Sequence, residues 1–237
     1  MNSTDRQVNS SLGFPALEKL CLARWSLYDL AIFGLPLVFT IVALQFAPKP
    51  WSLISIVPLI FLMWLISFFR NPPRKIPDDP LAIISPADGT VTDITQLAHD
   101  DFIGGPAVRI GIFLSIFNVH INRAPLAGRV VDLQYRPGEF LNAMKPESSE
   151  RNESMWIGFE QTAPPTHRFA VRQISGMLAR RIVCALAPGQ TVTRGQIFGM
   201  IKLGSRTELI LPADAVDVTV QPGNPVRAGS NIVARWK

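Results

Sequence analysis

Two uninterrupted apolar runs stand out in the first third of the chain. Leu30 to Pro48 and Pro50 to Phe69 carry no charged residue, and each is about 20 residues long, enough to cross roughly 30 Å of hydrocarbon as a helix. Only Ala47-Pro48-Lys49-Pro50 joins them, so the pattern predicts a tight helical hairpin over 30–69. It either spans the bilayer or, with Pro36 and Pro58 in mid-run, enters and leaves on one side. Two buried core helices would share this composition, but two spanning lengths in tandem argue against them. Residues 1–29 are polar and mixed in charge, and the run after them has no small-residue cleavage site, so it is expected to stay in the protein.

Cations flank the outer ends of the hairpin, Lys19 and Arg24 before it and Arg70, Arg74 and Lys75 after it, against Lys49 alone in the turn. The positive-inside rule therefore puts the rest of the chain on the cytoplasmic side of a cell membrane. Asn71-Pro72-Pro73-Arg74-Lys75-Ile76-Pro77 reads as a stiff, extended exit.

Beyond Pro80 the period changes. Short Val- and Ile-rich stretches alternate with Gly, Pro and Asp: 82–84, 89–94, 107–113, 128–133, 169–174, 181–186, 208–211, 215–220 and 232–235. These are strands between turns, and helical periodicity is hard to find. Residues 70–237 are thus expected to form one mainly β domain, sandwich- or barrel-like. Glu139 to Asn152 is polar and aperiodic, and reads more readily as a surface loop than as a lid over a site.

Composition narrows the function classes. With 48% hydrophobic and 17% charged residues the 237-residue chain is too apolar for disorder, and the excess is confined to the two runs. Cys21 and Cys184 lie in different kinds of segment and give neither a disulfide framework nor a metal pair, which fits a reducing compartment. A net charge of +5 without a basic block, and only 2 Tyr, make nucleic acid a poor partner and anionic lipid headgroups a better one. Ser85–Ile94 and Val192–Ile201 echo the phrases of biotinyl/lipoyl-type β modules. Such a carrier needs a lysine in a tight hairpin, and neither Lys145 nor Lys202 sits in one.

Candidate chemistry is sparse. The 3 histidines show no ligand spacing, and no metal site is expected. His99 and His167 lie in turn-like phrases and read as solvated. His120 ends an apolar stretch among Asn118, Asn122 and Arg123, and the pattern suits a structural as well as a catalytic histidine. Asp88, in Pro86-Ala-Asp-Gly89, reads alone as turn chemistry. Gly204-Ser205 is one of two Gly-Ser pairs, the other being Gly229-Ser230. In a strained turn a serine hydroxyl can attack the preceding glycine carbonyl, an N-to-O acyl shift whose ester eliminates to dehydroalanine and hydrolyses to a pyruvoyl group.

Five phrases in order, Pro86–Gly89, Phe113–Pro125, Glu150–Glu153, Gln173–Ile182 and Ile201–Arg206, resemble the phosphatidylserine decarboxylases in their short, archaeal-type form. The resemblance implies a proenzyme that cuts itself between Gly204 and Ser205, giving a 1–204 β chain and a 205–237 α chain that remain together. Ser205 would become the covalent pyruvoyl cofactor, and phosphatidylserine, bound through a Schiff base, would lose CO2 to give phosphatidylethanolamine. Asp88 and His120 would form the charge-relay set with Ser205. The long form has two histidines three apart in this phrase, whereas this chain has His120 and then Arg123. The resemblance therefore leaves two roles for His120, deprotonating the serine or handling the decarboxylation proton. Arg70, Arg74, Lys75 and Arg206 are expected candidates for the lipid phosphate. Two rivals remain: a non-enzymatic membrane-anchored adaptor or lipid-binding module of the biotinyl/lipoyl type, and a pyruvoyl decarboxylase of soluble amino acids.

Overall fold

A computed structural model describes residues 22–145, 147–164, 166–177, 181–202 and 204–237. Lys19 and Cys21, with the rest of the polar segment up to residue 21, and Leu178–Arg180 and Leu203 within the quoted phrases lie outside the described residues.

The chain divides into two compact units, Met1–Pro73 and Arg74–Lys237. In the first, helices Leu27–Gln45 and Trp51–Phe68 are each long and apolar enough to cross a membrane. Only 6% and 11% of their most apolar windows are buried, so they are not core helices of a water-soluble fold. Neither Pro36 nor Pro58 interrupts its helix. The first helix passes through Pro36 by way of a π turn at Leu30–Gly34, which absorbs the missing amide. Pro58 falls just past the junction between a 3-10 helix, Trp51–Ser55, and the α-helical part, Ile56–Phe68.

The second unit is mainly β, as the alternation predicts. Its largest sheet is antiparallel and curls into a half-barrel. It contains β2 (Gly89–Asp100), β3 (Gly105–Leu114), β5 (Gly128–Arg136), β6 (Ser154–Gln161), β7 (Arg168–Ile174), β9 (Thr191–Val192), β11 (Ser205–Pro212) and β13 (Pro225–Val226), in the order β13-β2-β3-β11-β7-β6-β5-β9. Two three-stranded sheets accompany it. One orders β1 (Ala82–Ile84), β14 (Ile232–Trp236) and β12 (Val216–Val218) as β1-β14-β12. The other orders β4 (Ile121–Arg123), β10 (Ile197–Ile201) and β8 (Ile182–Cys184) as β4-β10-β8.

One core joins the three sheets. Ile110, Ile112 and Leu114 of β3, Leu209 and Leu211 of β11, Phe198 of β10 and Val233 of β14 are fully buried in a single cluster, each such side chain contributing about 1.5–3 kcal/mol. Phe159 and Phe169, directly opposed on β6 and β7, stack with ring centroids 4.9 Å apart. Because side chains alternate along a strand, Ser205 and Thr207 share the core-facing side of β11 with Leu209 and Leu211. Arg206, Glu208 and Ile210 face the other way. That opposite face holds a cavity of about 620 Å³ floored by Arg109, Arg172, Glu208 and Trp156.

β6 escapes the sequence pattern because both of its faces are covered. Ile157 and Phe159 enter the main core, while Trp156 packs edge-on against Phe102 at 4.8 Å. The Glu139–Asn152 segment is exposed over most of its described length, as a surface loop would be, yet it is pinned from within. Ala143, Ser148, Ser149 and Asn152 are buried, and Ser148–Arg151 forms a helical turn. Asn152 ties the segment to Leu141, through both its amide and its carbonyl, and to the Ser175 carbonyl.

Candidate active site

Four chain segments meet at one end of the adjacent strands β2, β3, β11 and β7. Thr90 pairs with Phe113, Ser205 with Leu114, and Arg206 with both Phe113 and Ile174. The register therefore aligns Asp88-Gly89, Leu114-Ser115, Gly204-Ser205 and Ile174-Gly176. The connection from β3 to β4 starts at Ser115 and ends at His120, whose carbonyl accepts from the Ile201 amide at 3.2 Å. Ile201 closes β10, four residues before Ser205. The backbone bond to Ile201 thus places His120 beside the strand that leads into Gly204-Ser205, with Asp88 at a neighbouring strand end, and no hydrogen bond joins His120 to Ser205 among the described residues.

Ser205 is fully buried, and its Oγ has no hydrogen-bond partner among the described residues. A buried hydroxyl without a partner costs roughly 1–3 kcal/mol, so packing alone does not explain it. Gly204 has φ +57°, in the left-handed region that favours glycine. Gly229, before Ser230, has φ +78°, so positive φ does not by itself distinguish the two Gly-Ser pairs. The following serine does: Ser230 is half-buried, whereas Ser205 is sealed.

Gly176 lies against the Gly204 carbonyl so closely that a Cβ at position 176 would collide with that oxygen. The contact fixes the carbonyl that an attacking Ser205 must reach. Gly176→Ala is accordingly expected to slow self-cleavage at least tenfold, since small misplacements of reacting groups cost up to about a hundredfold. Counting intact chain against time on a denaturing gel measures it, and cleavage at the parental rate would remove Gly176 from this role.

His120 is fully buried. Its Nδ1 lies 3.0 Å from the Asn118 carbonyl. A carbonyl only accepts, so Nδ1 carries the proton, and in the neutral ring Nε2 holds the basic lone pair. Among the described residues a backbone carbonyl orients the His120 ring, and the Asp88 carboxylate makes its hydrogen bonds elsewhere. Asp88 instead accepts from Arg74 Nη2 at 2.7 Å and from the Ala228 amide at 2.8 Å. Its carboxylate braces the turn before β2 rather than the imidazole.

Two of the proposed phosphate-binding cations are also committed elsewhere. Arg74 is taken by Asp88 and nearly buried. Arg206 is buried on the face away from Ser205, donating to Asp93, Glu208 and Thr92. Burial opposes the Arg206 charge, but the hydrogen bond to Asp93 and the Glu208 and Asp93 charges outweigh it and raise its pKa. Lys75 is exposed, and Arg70 donates to the Ser67 carbonyl and hydroxyl. His99 is exposed as expected, whereas His167 stacks on Trp236 at 4.6 Å. Burial pushes the Cys184 thiol up to about 11, which keeps it protonated and unreactive at neutral pH.

Sequence reasoning missed a buried polar lattice beside Ser205. Asn122 Nδ2 donates to Thr207 Oγ1 at 3.0 Å and to the Pro86 carbonyl at 3.3 Å, while its Oδ1 accepts from Gln173 Nε2 at 2.9 Å. Asn122, Thr207 and Gln173 are all fully buried. The lattice ties β4, which follows His120, to β11, which follows Gly204, and to the turn holding Asp88. Its one sequence signal was a polar residue at a core-facing position in each of three strands, visible only once the strands are paired.

Fold and site together are those of a mainly β protein with two apolar helices and, among the described residues, one buried serine whose hydroxyl has no partner. The phosphatidylserine decarboxylase family model matches residues 61–234. A phosphatidylserine decarboxylase proenzyme of Rhodopirellula baltica is 45% identical over 223 residues, 93% of this chain and 90% of that protein. Proenzymes of the same name from Carboxydothermus hydrogenoformans and Pelodictyon phaeoclathratiforme are 49% and 42% identical, over 76% and 96% of this chain and 84% and 99% of theirs. The chain belongs to the phosphatidylserine decarboxylase family.

Proposed function

We propose that this chain is a proenzyme that cuts itself between Gly204 and Ser205, converts Ser205 to a pyruvoyl group, and decarboxylates phosphatidylserine to phosphatidylethanolamine and CO2. The observation that carries the reading is the sealed, unpartnered Ser205 hydroxyl behind a left-handed glycine in a member of this family.

His120 Nε2 takes the hydroxyl proton as Ser205 Oγ attacks the Gly204 carbonyl carbon, and the Gly204–Ser205 C–N bond breaks as the C–O bond forms. Loss of the Ser205 α-proton expels the Gly204 carboxylate together with that oxygen. Water then hydrolyses the dehydroalanine, releasing ammonia and leaving the pyruvoyl group at the head of β11. The site suits that group: it would lie sealed from bulk water, within one buried cluster and on a strand held from both sides. The pyruvoyl group supplies a carbonyl electron sink for the pair released when CO2 leaves. His120 also supports the second role left open for it, returning a proton to the substrate carbon.

Both fragments stay together in this reading, because β11 of 205–237 is paired with β3 and β7 of 1–204, and β14 with β1. The apolar helices tether the enzyme to the membrane that carries its substrate, with the β unit on the cytoplasmic side by the charge bias of residues 70–75. Lys75, exposed near the start of the β unit, remains a cation offered to the phosphate.

Intact-mass measurement of the purified protein tests the proposal, together with reductive amine trapping and a CO2 assay on phosphatidylserine vesicles. The expected result is two co-purifying fragments split after Gly204, the smaller with a trappable N-terminal ketone, and release of CO2. A single unmodified chain without CO2 release would overturn it.

A further inference from the structure

Large apolar side chains stand exposed on three connections near the strand end that carries Ser205. Phe117, Met144 and Met177 are 69%, 63% and 61% exposed. They come from three different connections, yet each adjoins the scissile bond. The turn bearing Phe117 begins one residue after Leu114, the strand partner of Ser205. Met177 follows Gly176, which abuts the Gly204 carbonyl, and Met144 follows Ala143, whose Cβ packs at the same glycine.

The tips are rigid. Ser115 donates its amide and its hydroxyl to Asn118 Oδ1, each at 2.8 Å, and accepts from the Asn118 amide at 2.9 Å. Asn142 braces the second tip in a similar way, accepting from the Met144 amide at its side chain and from the Lys145 amide at its carbonyl, both at 3.0 Å. Side chains held out by braced turns are a standing apolar surface, and exposed apolar clusters on a stable fold mark contact with a partner or a membrane. Lys145 adjoins Met144, and Arg181, whose carbonyl accepts from Lys202, is also exposed. Neither cation has an acidic partner among the described residues. Glu147 is the nearest exposed acid in the Met144 segment.

We infer that Phe117, Met144 and Met177 form a membrane-entering rim on the β unit. The rim sinks into the interface of an anionic bilayer, with Lys145 and Arg181 at headgroup level, so that the substrate headgroup reaches the site without leaving its leaflet. The inference rests on the proposed lipid substrate and extends it, because it assigns the bilayer a docking surface separate from the two apolar helices.

Depth quenching in the full chain tests it. Single cysteines at 117, 144 and 177, and at exposed Asp101 in the turn at the opposite end of β2 and β3, are placed in a Cys21→Ser, Cys184→Ser background. Each carries an environment-sensitive fluorophore and is mixed with phosphatidylserine/phosphatidylcholine vesicles containing acyl-brominated lipid. Quenching at the three tips and not at position 101 is expected, weaker when phosphatidylserine is left out. In parallel, Phe117→Gln/Met144→Gln/Met177→Gln should still cut itself, lose about tenfold in turnover of vesicle-borne phosphatidylserine, and keep its turnover of monomeric short-chain phosphatidylserine. Tips that stay unquenched overturn the inference, as does quenching equal to that at position 101 or unchanged vesicle turnover in the triple variant. Tips shielded from aqueous iodide but not reached by lipid quencher would mean a protein contact and overturn it as well. A parental protein that neither cuts itself nor releases CO2 from either substrate would instead count against the decarboxylase reading, while the depth measurement still reports on the rim.

Discussion

Ser205→Ala is expected to leave one uncut 237-residue chain with no decarboxylase activity and undiminished stability. The combination matters more than either half. Ser205 Oγ is buried without a partner, so removing it forfeits no hydrogen bond and relieves a desolvated hydroxyl, a gain of about 1 kcal/mol. A serine kept for structure would behave in the opposite way, losing stability while cleavage continued elsewhere. Denaturant unfolding and intact mass of the detergent-solubilised protein read the two halves together. His120→Ala completes the comparison. It should slow processing by a factor of about 100 or more, in the range set by losing a positioned base. Cleavage of Ser205→Ala between residues 204 and 205, or full activity in His120→Ala, would take the corresponding residue out of the mechanism.

Glycine leaves its carbonyl open to a neighbouring hydroxyl, but the chain has two Gly-Ser pairs, and it is the family resemblance that selects Gly204-Ser205; the histidine's support has no sequence signal at all. The histidine's orienting group is the Asn118 carbonyl, and a backbone atom leaves no mark on residue identity. Asp88 reads alone as turn chemistry, and its place in the relay came from the family resemblance. The chain folds so that Arg74 and the Ala228 amide occupy its carboxylate, and this needs the exit segment and a turn 140 residues away to be brought together. Arg74 and Arg206 misled in the same way: a cation in sequence carries no record of the acid it meets in space.

The fold was readable from Val- and Ile-rich stretches between turn residues. β3, β5 and β7, expected over 107–113, 128–133 and 169–174, lie close to those bounds, whereas β2, expected over 89–94, runs on to Asp100. β6 hides because Trp156 and Phe159 are both packed, on opposite faces. The Glu139–Asn152 segment hides because Ser148, Ser149 and Asn152 are polar residues used as interior ties. Periodicity reports solvent, and polar groups satisfied indoors do not follow it.

One of those ties leads to the second large effect. Glu208, fully buried, accepts from Arg206 Nε at 2.9 Å and from the Ser149 hydroxyl, and lies 3.8 Å from both Arg109 and Arg172. It is the carboxylate shared by three arginines and the anchor of the segment that carries Ala143 and Met144. Glu208→Ala should therefore destabilise the β unit by about 3–5 kcal/mol, the usual result of leaving buried charge uncompensated, and loosen the wall beside Gly204 enough to slow self-cleavage. Glu208→Gln preserves the shape and one acceptor, so it should restore the Ser149 tie while leaving the charge imbalance. Asp93 supports the same cluster from the other side of Arg206. Burial works against its charge, but hydrogen bonds from Arg206 and Thr92 and the nearby arginine charges hold its carboxyl below the ordinary 3.8. The stabilisation it lends is full above that value and is lost as pH falls through the lower folded pKa, and it is modest because Asp93 is 37% exposed. Denaturant melts at pH 7 and pH 3 separate the two carboxylates. Glu208→Ala should be the weaker protein at pH 7, whereas Asp93→Asn should lose less there and give up part of the parental dependence on acid. Equal stability of Glu208→Ala and the parent at pH 7 would mean that the arginines find other counter-charges.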